Sequence, residues 1–153
     1  MDGSVFIAGG EAPLGGAYSS GSYNAEVFKP PYMDDENKRV LIQQAPSVAQ
    51  MNAEQAETVT FQVVLGELNP ESTPVHSVVL TRPGAVTHFF DADQRYIELK
   101  YSPLVQTQDN ETLTVVSPQA NLGPPGYYLL WVVTREVGSG ELIPSQATIV
   151  YFQ

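Results

Sequence analysis

Apolar and polar residues alternate along much of this chain with a period of two. Over residues 58–65 every odd position carries an apolar side chain, and residues 96–101 repeat the pattern. Such alternation predicts β-strands that bury one face. Further segments that are rich in β-branched or aromatic residues and bounded by Pro, Gly or Asn also predict strands, at 4–8, 24–28, 39–44, 76–82, 111–116, 127–134 and 146–152.

Helices contribute little to the predicted fold. Only residues 47–57 have the composition of a helix, and their few apolar side chains would leave such a helix little surface to bury. We therefore predict a loop there, with one turn at most. Short strands without intervening helices predict an all-β chain, folded as an antiparallel β-sandwich.

One predicted strand departs from the alternation. Residues 127–133, Tyr-Tyr-Leu-Leu-Trp-Val-Val, are apolar on both sides, and we predict that Tyr127 and Tyr128 are core residues whose hydroxyls reach the rim. Because a sandwich strand normally shows one face to water, two arrangements remain open. Either the strand is central and a loop covers its outer side, or another body covers that side.

Composition excludes several classes of function. The 153 residues suffice for one domain with a sizeable core. Seven Lys and Arg against 17 Asp and Glu give a net charge of −10, which predicts no nucleic-acid partner. The absence of cysteine excludes disulfides and thiol catalysis. No apolar segment reaches the ~18 residues that a membrane-spanning helix needs, so we predict no membrane span.

The first 33 residues differ in composition from the rest of the chain. Two strand-like pieces flank the glycine-rich residues 9–21, which lack the Lys and Ser/Thr of a phosphate-binding loop. A lone hairpin is marginal in water and must dock on something. The acidic residues 34–37 predict a solvated turn at a boundary.

Two histidines are candidates for chemistry. His76 opens an apolar strand, where we predict a structural role. His88 lies in the segment 82–95, which must turn between two strands and can present an imidazole at a loop tip. Imidazole is a common ligand of copper and zinc, although a single loop histidine does not by itself make a metal site.

Charged residues surround His88 in the sequence. Asp91-Ala92-Asp93 does not continue as a calcium loop, because Arg95 occupies the next ligand position and no glycine follows. We predict instead that Asp91 or Asp93 accepts backbone hydrogen bonds in a turn. Arg82 and Arg95 flank the loop, either to stiffen it through an ion pair with Asp91 or Asp93 or to contact substrate.

Several motifs carry a family resemblance. THFFDADQRYIEL (87–99), PPGYYLLWVV (124–133) and IPS (143–145) resemble the C-terminal domain of the copper radical oxidases, which include galactose oxidase and glyoxal oxidase. DGSVFIAGG (2–10) and NAEVFKPPYM (24–33) resemble the last strands of the preceding propeller. The resemblance implies an immunoglobulin-like, early-set β-sandwich over residues 34–153 and a two-strand remnant of a kelch-type propeller over residues 1–33.

The resemblance also implies a role for His88. In that family the sandwich supplies one histidine to a copper ion on the propeller axis, and His88 matches it. The family's cysteine-linked tyrosyl radical and the Tyr-His pair upstream of its Asp-Gly strand have no counterpart in this sequence. The chain would therefore contribute His88 as its one metal ligand and would not catalyse oxidation alone.

The leading hypothesis is a scaffolding domain of a secreted copper radical oxidase that converts an alcohol or aldehyde with O₂ to the oxidised product and H₂O₂. Its partner would be a β-propeller domain or a neighbouring chain. The alternative is a non-catalytic interaction module in an extracellular or other large assembly, in which residues 1–33 pair with another chain by strand addition. A carbohydrate-binding domain has little support, because the sequence shows no exposed aromatic platform.

Overall fold

A computed structural model describes residues 3–8, 25–33, 38–53, 58–66, 74–106 and 110–153 of the chain. The glycine-rich residues 9–21 and the acidic residues 34–37 lie outside this described part. The strands are β1 (Val5–Ala8), β2 (Ala25–Phe28), β3 (Ile42–Gln44), β4 (Val48–Ala49), β5 (Thr60–Leu65), β6 (Val75–Arg82), β7 (Val86–Thr87), β8 (Phe90–Asp91), β9 (Arg95–Leu99), β10 (Tyr101–Gln106), β11 (Glu111–Val116), β12 (Gly126–Arg135), β13 (Leu142–Pro144) and β14 (Thr148–Phe152). The described residues contain no α-helix, and none of their helical segments could cross a membrane.

Two sheets form the sandwich. The four-stranded sheet has the order β10–β11–β5–β3, and the six-stranded sheet has the order β4–β14–β12–β6–β9 with β13 also paired to β12. All of these pairings are antiparallel except that of β4 with β14. The predicted immunoglobulin-like, all-β sandwich is confirmed.

The core lies between the two sheets and is built from the alternating apolar residues. In β5, Phe61, Val63 and Leu65 are buried, while Thr60 and Gln62 are exposed. The rings of Phe61 and Phe152 meet edge to face across the sandwich, with centroids 5.8 Å apart. Burial of each such side chain contributes roughly 1.5–3 kcal/mol, so the period-two pattern supplies much of the stability of the fold.

The predicted strand over 96–101 is in fact two strands. β9 belongs to the six-stranded sheet and β10 to the four-stranded sheet, so the chain changes sheet at Lys100. The carbonyl of Lys100 accepts a hydrogen bond from the Val116 amide at 2.8 Å, which ties the crossing point to β11. Alternation continues through such a crossing because both strands bury one face against the same core.

Other short strands, such as β4 and β13, are also not predicted by the alternation of apolar and polar residues. β4 pairs in parallel with the end of β14, within the segment 47–57 for which a loop is predicted. β13 is three residues long and holds its place through backbone pairing with β12. Two- and three-residue strands carry too little periodicity to be recognised from sequence.

The doubly apolar strand β12 is central, with β14 on one side and β6 on the other. Its inner side chains, Tyr128, Leu130 and Val132, are fully buried. On the outer side Trp131 is half-buried and donates a hydrogen bond from Nε1 to Thr81 Oγ1 at 2.8 Å. The prediction that Tyr127 is a core residue is wrong, because Tyr127 points outward and is 63% exposed.

The N-terminal strands form a separate two-stranded sheet. β1 and β2 pair in antiparallel register from Val5–Phe28 to Ala8–Ala25, and all eight strand residues are exposed. A 3-10 turn, Pro31–Met33, follows β2 and packs on β13. Tyr32 in this turn helps to line a small apolar cavity of about 210 Å³ on the outer face of the six-stranded sheet, beside Trp131.

Candidate functional site

His88 lies at the tip of a β-hairpin that rises from the end of β6. β7 and β8 pair through Val86–Asp91 and Thr87–Phe90, and only His88 and Phe89 connect them. Both connecting residues have positive φ, 53° and 61°. Two successive left-handed residues form the type I′ turn, whose twist matches that of the flanking strands. Glycine or asparagine usually occupies these positions, so the His-Phe pair is an unusual choice.

The hairpin tip exposes apolar side chains. Val86 is 74% exposed, Phe90 is 68% exposed and Phe89 is fully exposed. Apolar residues that cluster on a small projection mark a contact surface more often than a solvated loop. The imidazole of His88 therefore stands among side chains that favour burial in another body.

The hydroxyl of Thr87 lies next to the imidazole of His88. Thr87 Oγ1 lies 2.7 Å from His88 Nδ1. The hydroxyl can accept a hydrogen bond from Nδ1–H, and in that tautomer Nε2 carries the lone pair that a metal ion would take. A hydrogen bond to the second ring nitrogen also restrains the ring, as it does in metal-ligating histidines generally.

The base of the hairpin is closed by the carboxylate of Asp91. Its Oδ1 accepts hydrogen bonds from the amides of Ala85 at 3.0 Å and Asp93 at 3.2 Å. The Ala92 amide also donates to the carbonyl of Ala85 at 3.3 Å. A Cβ at Gly84 would collide with Asp91 Oδ2, so a side chain there would have to displace this carboxylate. The predicted role of Asp91 as a turn acceptor is confirmed.

Asp93 forms the predicted ion pairs. Its Oδ2 lies 3.0 Å from Arg82 Nε, and its Oδ1 lies 3.2 Å from Arg95 Nη1. Arg82 is the more buried partner, with 17% of its side chain exposed. Both arginines are thus engaged at the base of the hairpin, which supports the stiffening role over substrate contact.

The structure does not bring the two histidines together. His76 is exposed near the start of β6, where Arg135 Nη2 lies 3.4 Å from both ring nitrogens. The hairpin follows the other end of β6, about 20 Å away at the rise of an extended strand. Within the described ranges no group of three or more His, Cys, Asp or Glu residues could enclose a metal ion. If His88 binds a metal ion, residues outside the described ranges must therefore complete the site.

Sequence reasoning missed the apolar character of the hairpin tip as a functional feature. The signal was present, because Val86, Phe89 and Phe90 occur in a segment that must turn between strands. Loop segments are usually polar and glycine-rich, and three large apolar residues in one of them indicate a buried or partnered loop.

Comparison with known proteins decides the family. The model of the protein family described as "Galactose oxidase-like, Early set domain" matches residues 39–151. The chain belongs to this galactose oxidase-like early-set family. The match includes both sheets of the sandwich and the His88 hairpin, and it leaves β1 and β2 outside. The resemblance that the motifs carry is confirmed.

Curated relatives of this early-set domain are plant proteins. Aldehyde oxidase GLOX of Vitis pseudoreticulata is 29% identical over 118 residues, which cover 74% of this chain and 21% of that protein. Aldehyde oxidase GLOX1 of Arabidopsis thaliana is 28% identical over 163 residues, covering 91% of this chain and 25% of that protein. Art an 7 of Artemisia annua is 32% identical over 110 residues, covering 70% and 18% respectively. The chain thus spans no more than a quarter of the length of these relatives.

Proposed function

We propose that this early-set domain presents His88 as one nitrogen ligand of a copper centre whose other ligands belong to a β-propeller body in a longer copper radical oxidase. The observation that carries the proposal is the place of His88, exposed at the tip of a braced hairpin and flanked by exposed apolar side chains. Copper in such an enzyme supplies one of the two one-electron acceptors needed to oxidise an alcohol or aldehyde with O₂, yielding H₂O₂. The relatives named as aldehyde oxidases favour an aldehyde as the substrate class.

The work of this chain is to hold an imidazole in place. A ligand on a two-residue turn between paired strands has far less freedom than one on a long loop, so less entropy is lost when metal binds. When Nδ1 carries the proton, its hydrogen bond to Thr87 restrains the ring and leaves the Nε2 lone pair for the metal ion. The hairpin is therefore suited to deliver one nitrogen ligand into a site that it does not itself enclose.

The apolar tip supplies the affinity for the partner. If the partner buries Val86, Phe89 and Phe90, each side chain contributes up to about 1.5–3 kcal/mol. Burial around the imidazole would also exclude water from the metal ligand, which strengthens electrostatic interactions within the site. Exposure of these apolar side chains to water is unfavourable, so their burial against the partner favours docking.

β1 and β2 supply a second link to the partner. We interpret residues 1–33 as the last strands of a kelch-type propeller, because a two-stranded sheet with all its strand residues exposed is marginal on its own. The propeller would pair with these strands on one side and receive the His88 hairpin on the other. By the same resemblance, the complete protein is secreted.

A copper titration of the isolated chain tests the ligand count. One imidazole cannot hold Cu(II) tightly, so we expect no stoichiometric site of nanomolar affinity, and weak binding that broadens the NMR signals of His88. The His88→Ala variant should lose that broadening at residue 88, while His76→Ala serves as the matched control at the other exposed histidine. Nanomolar binding by the isolated chain would contradict a shared site.

The second candidate function is a non-catalytic interaction module. It is favoured by the same exposed β1–β2 sheet, whose strand edges could pair with a neighbouring chain by strand addition. This function needs no metal at His88. It predicts a stable complex that survives His88→Ala and is lost when residues 1–28 are removed, measured by light scattering after size-exclusion chromatography.

A further inference from the structure

We propose that Arg82 is a positioning residue for His88, because it fixes the hairpin to the buried side chain of Tyr128. The inference rests on the proposed role of His88 as a ligand. It adds to that role a set of contacts that fixes the orientation of the hairpin, and so of the imidazole, relative to the sandwich. Arg82 is the last residue of β6, at the point where the chain leaves the six-stranded sheet for the hairpin.

The inner side of Arg82 contacts the core. Its Nη1 donates hydrogen bonds to the carbonyl of Pro124 at 3.2 Å and to the hydroxyl of Tyr128 at 3.4 Å. The guanidinium lies 5.5 Å from the centroid of the Tyr128 ring, within the range of a cation–π interaction. Tyr128 is fully buried, and its own hydroxyl donates to the Pro124 carbonyl at 2.8 Å. Arg82 is therefore anchored to a group that cannot move without disturbing the core.

The backbone around this contact is shaped to receive the guanidinium. Gly126, at the start of β12, has a φ of 148°, and a Cβ built on it would lie 3.2 Å from Arg82 Nη2. A Cβ on Gly123 would lie 2.5 Å from the Tyr128 hydroxyl. Two glycines thus leave room for Arg82 and Tyr128 to meet, in a segment that follows β11 and is remote in sequence from the hairpin.

The outer side of Arg82 contacts the hairpin. Arg82 Nε pairs with Asp93 Oδ2 at 3.0 Å, and the amide of Asp93 donates to Asp91 Oδ1, which also accepts from the Ala85 amide. A continuous series of contacts therefore runs from Tyr128 through Arg82 and Asp93 to the two strands that carry His88. Loss of Arg82 would separate the hairpin from the core while leaving its own turn intact.

The test measures hairpin motion in the full chain without any metal. We expect Arg82→Met to lower the ¹⁵N heteronuclear NOE of Thr87, His88 and Phe89. It should also speed hydrogen exchange of the Ala85 and Ala92 amides by about tenfold more than exchange of core amides in β12, because the hairpin opens locally. Arg82→Lys keeps a charge for Asp93 and should restore part of the protection.

Arg135→Met is the matched control, since Arg135 is an exposed arginine at the far end of β12. Hairpin amides that behave alike in Arg82→Met and Arg135→Met would overturn the proposal. So would hairpin exchange that rises only as much as exchange in the core, which is the signature of a purely structural residue. If Arg82→Met does not fold, Asp93→Asn decides instead. It cuts the outer contact at a half-exposed position and should loosen the hairpin with the core intact; an unchanged hairpin in that variant would overturn the proposal.

The experiments distinguish a failure of the Arg82 proposal from a failure of the proposed role of His88 as a metal ligand. A hairpin that loosens in Arg82→Met while His88 proves irrelevant to copper would leave Arg82 as an anchor of the hairpin and remove only the metal role. A rigid hairpin in Arg82→Met, together with copper binding that depends on His88, would remove Arg82 and leave the ligand.

Discussion

Within the described residues, two two-stranded sheets, β1–β2 and β7–β8, both expose apolar residues, yet they are held in different ways. β7–β8 is braced by the Asp91 carboxylate and by the Arg82–Asp93 ion pair, and Arg82 in turn contacts Tyr128 in the core. The eight residues of β1–β2 pair with one another in a regular ladder and are exposed throughout. The comparison teaches that exposed apolar side chains can belong either to a hairpin that its own contacts hold in a projecting position or to strands that are part of a larger sheet.

The bracing of β7–β8 depends on a rigid sandwich, so the core should give the largest effect. Leu130 in β12 is fully buried, and Leu130→Ala should lower the free energy of unfolding by about 2–5 kcal/mol. Phe6→Ala in β1, at a position 68% exposed, should change it by about 0.5 kcal/mol or less. Urea denaturation measures both. Similar losses for the two variants would erase the distinction between core and hairpin.

The turn of β7–β8 offers a smaller effect of opposite sign. Phe89 has a φ of 61° and is fully exposed, so its side chain imposes backbone strain without a compensating contact among the described residues. Phe89→Gly relieves about 1–2 kcal/mol of that strain and loses part of it to unfolded-state entropy, for a net gain of about 1 kcal/mol or less. A clear loss of stability in thermal unfolding would show that Phe89 packs within the chain.

Removal of β1–β2 tests the other side of the comparison. A chain that starts at residue 29 keeps Tyr32 and Met33 and should unfold within about 1 kcal/mol of the full chain, because a marginal two-stranded sheet adds little to a complete sandwich. Chemical denaturation of both chains measures the difference. A large loss of stability would mean that β1–β2 is an integral part of the sandwich.

The smallest effect concerns the ion pair between Lys38 and Glu136. Glu136 lies 2.9 Å from Lys38, and the hydrogen bond from Ser139 followed by the Lys38 ammonium lowers the pKa of its carboxyl. A lowered folded-state pKa stabilises the fold above the unfolded-state value near 4.5 and loses that contribution as the pH falls through the folded-state pKa. Glu136→Gln should therefore slightly flatten the acid limb of stability against pH. An unchanged acid limb would show that the pair contributes nothing.

Much of the sandwich could be predicted from the sequence because its signal is local. Alternation over 58–65 places Phe61, Val63 and Leu65 in the core, and the turn residues between strands give the spacing of an all-β fold. The change of sheet at Lys100 could not be predicted, because the same alternation serves both sheets. The exposure of Tyr127 could not be predicted either, because composition alone cannot say which side of a doubly apolar strand is covered.

The hairpin shows the same division between local and distant information. Asp91 and Asp93 follow His88 closely, so their roles in the turn could be predicted from the sequence. The contact of Arg82 with Tyr128 joins residues 46 positions apart and depends on the bare backbone at Gly126, which becomes visible only in three dimensions. The type I′ turn could not be predicted from the sequence either, since His-Phe lacks the Gly or Asn that usually indicates it.

The most direct test of the central claim is the copper content of a chimaera. The 118-residue region that aldehyde oxidase GLOX of Vitis pseudoreticulata shares with this chain would be replaced by the matching residues of this chain, and bound copper would be measured by atomic emission. The account predicts a copper-bearing chimaera, loss of copper in His88→Ala and retention in His76→Ala. Equal copper in the two variants, or none in the chimaera that keeps His88, would contradict it.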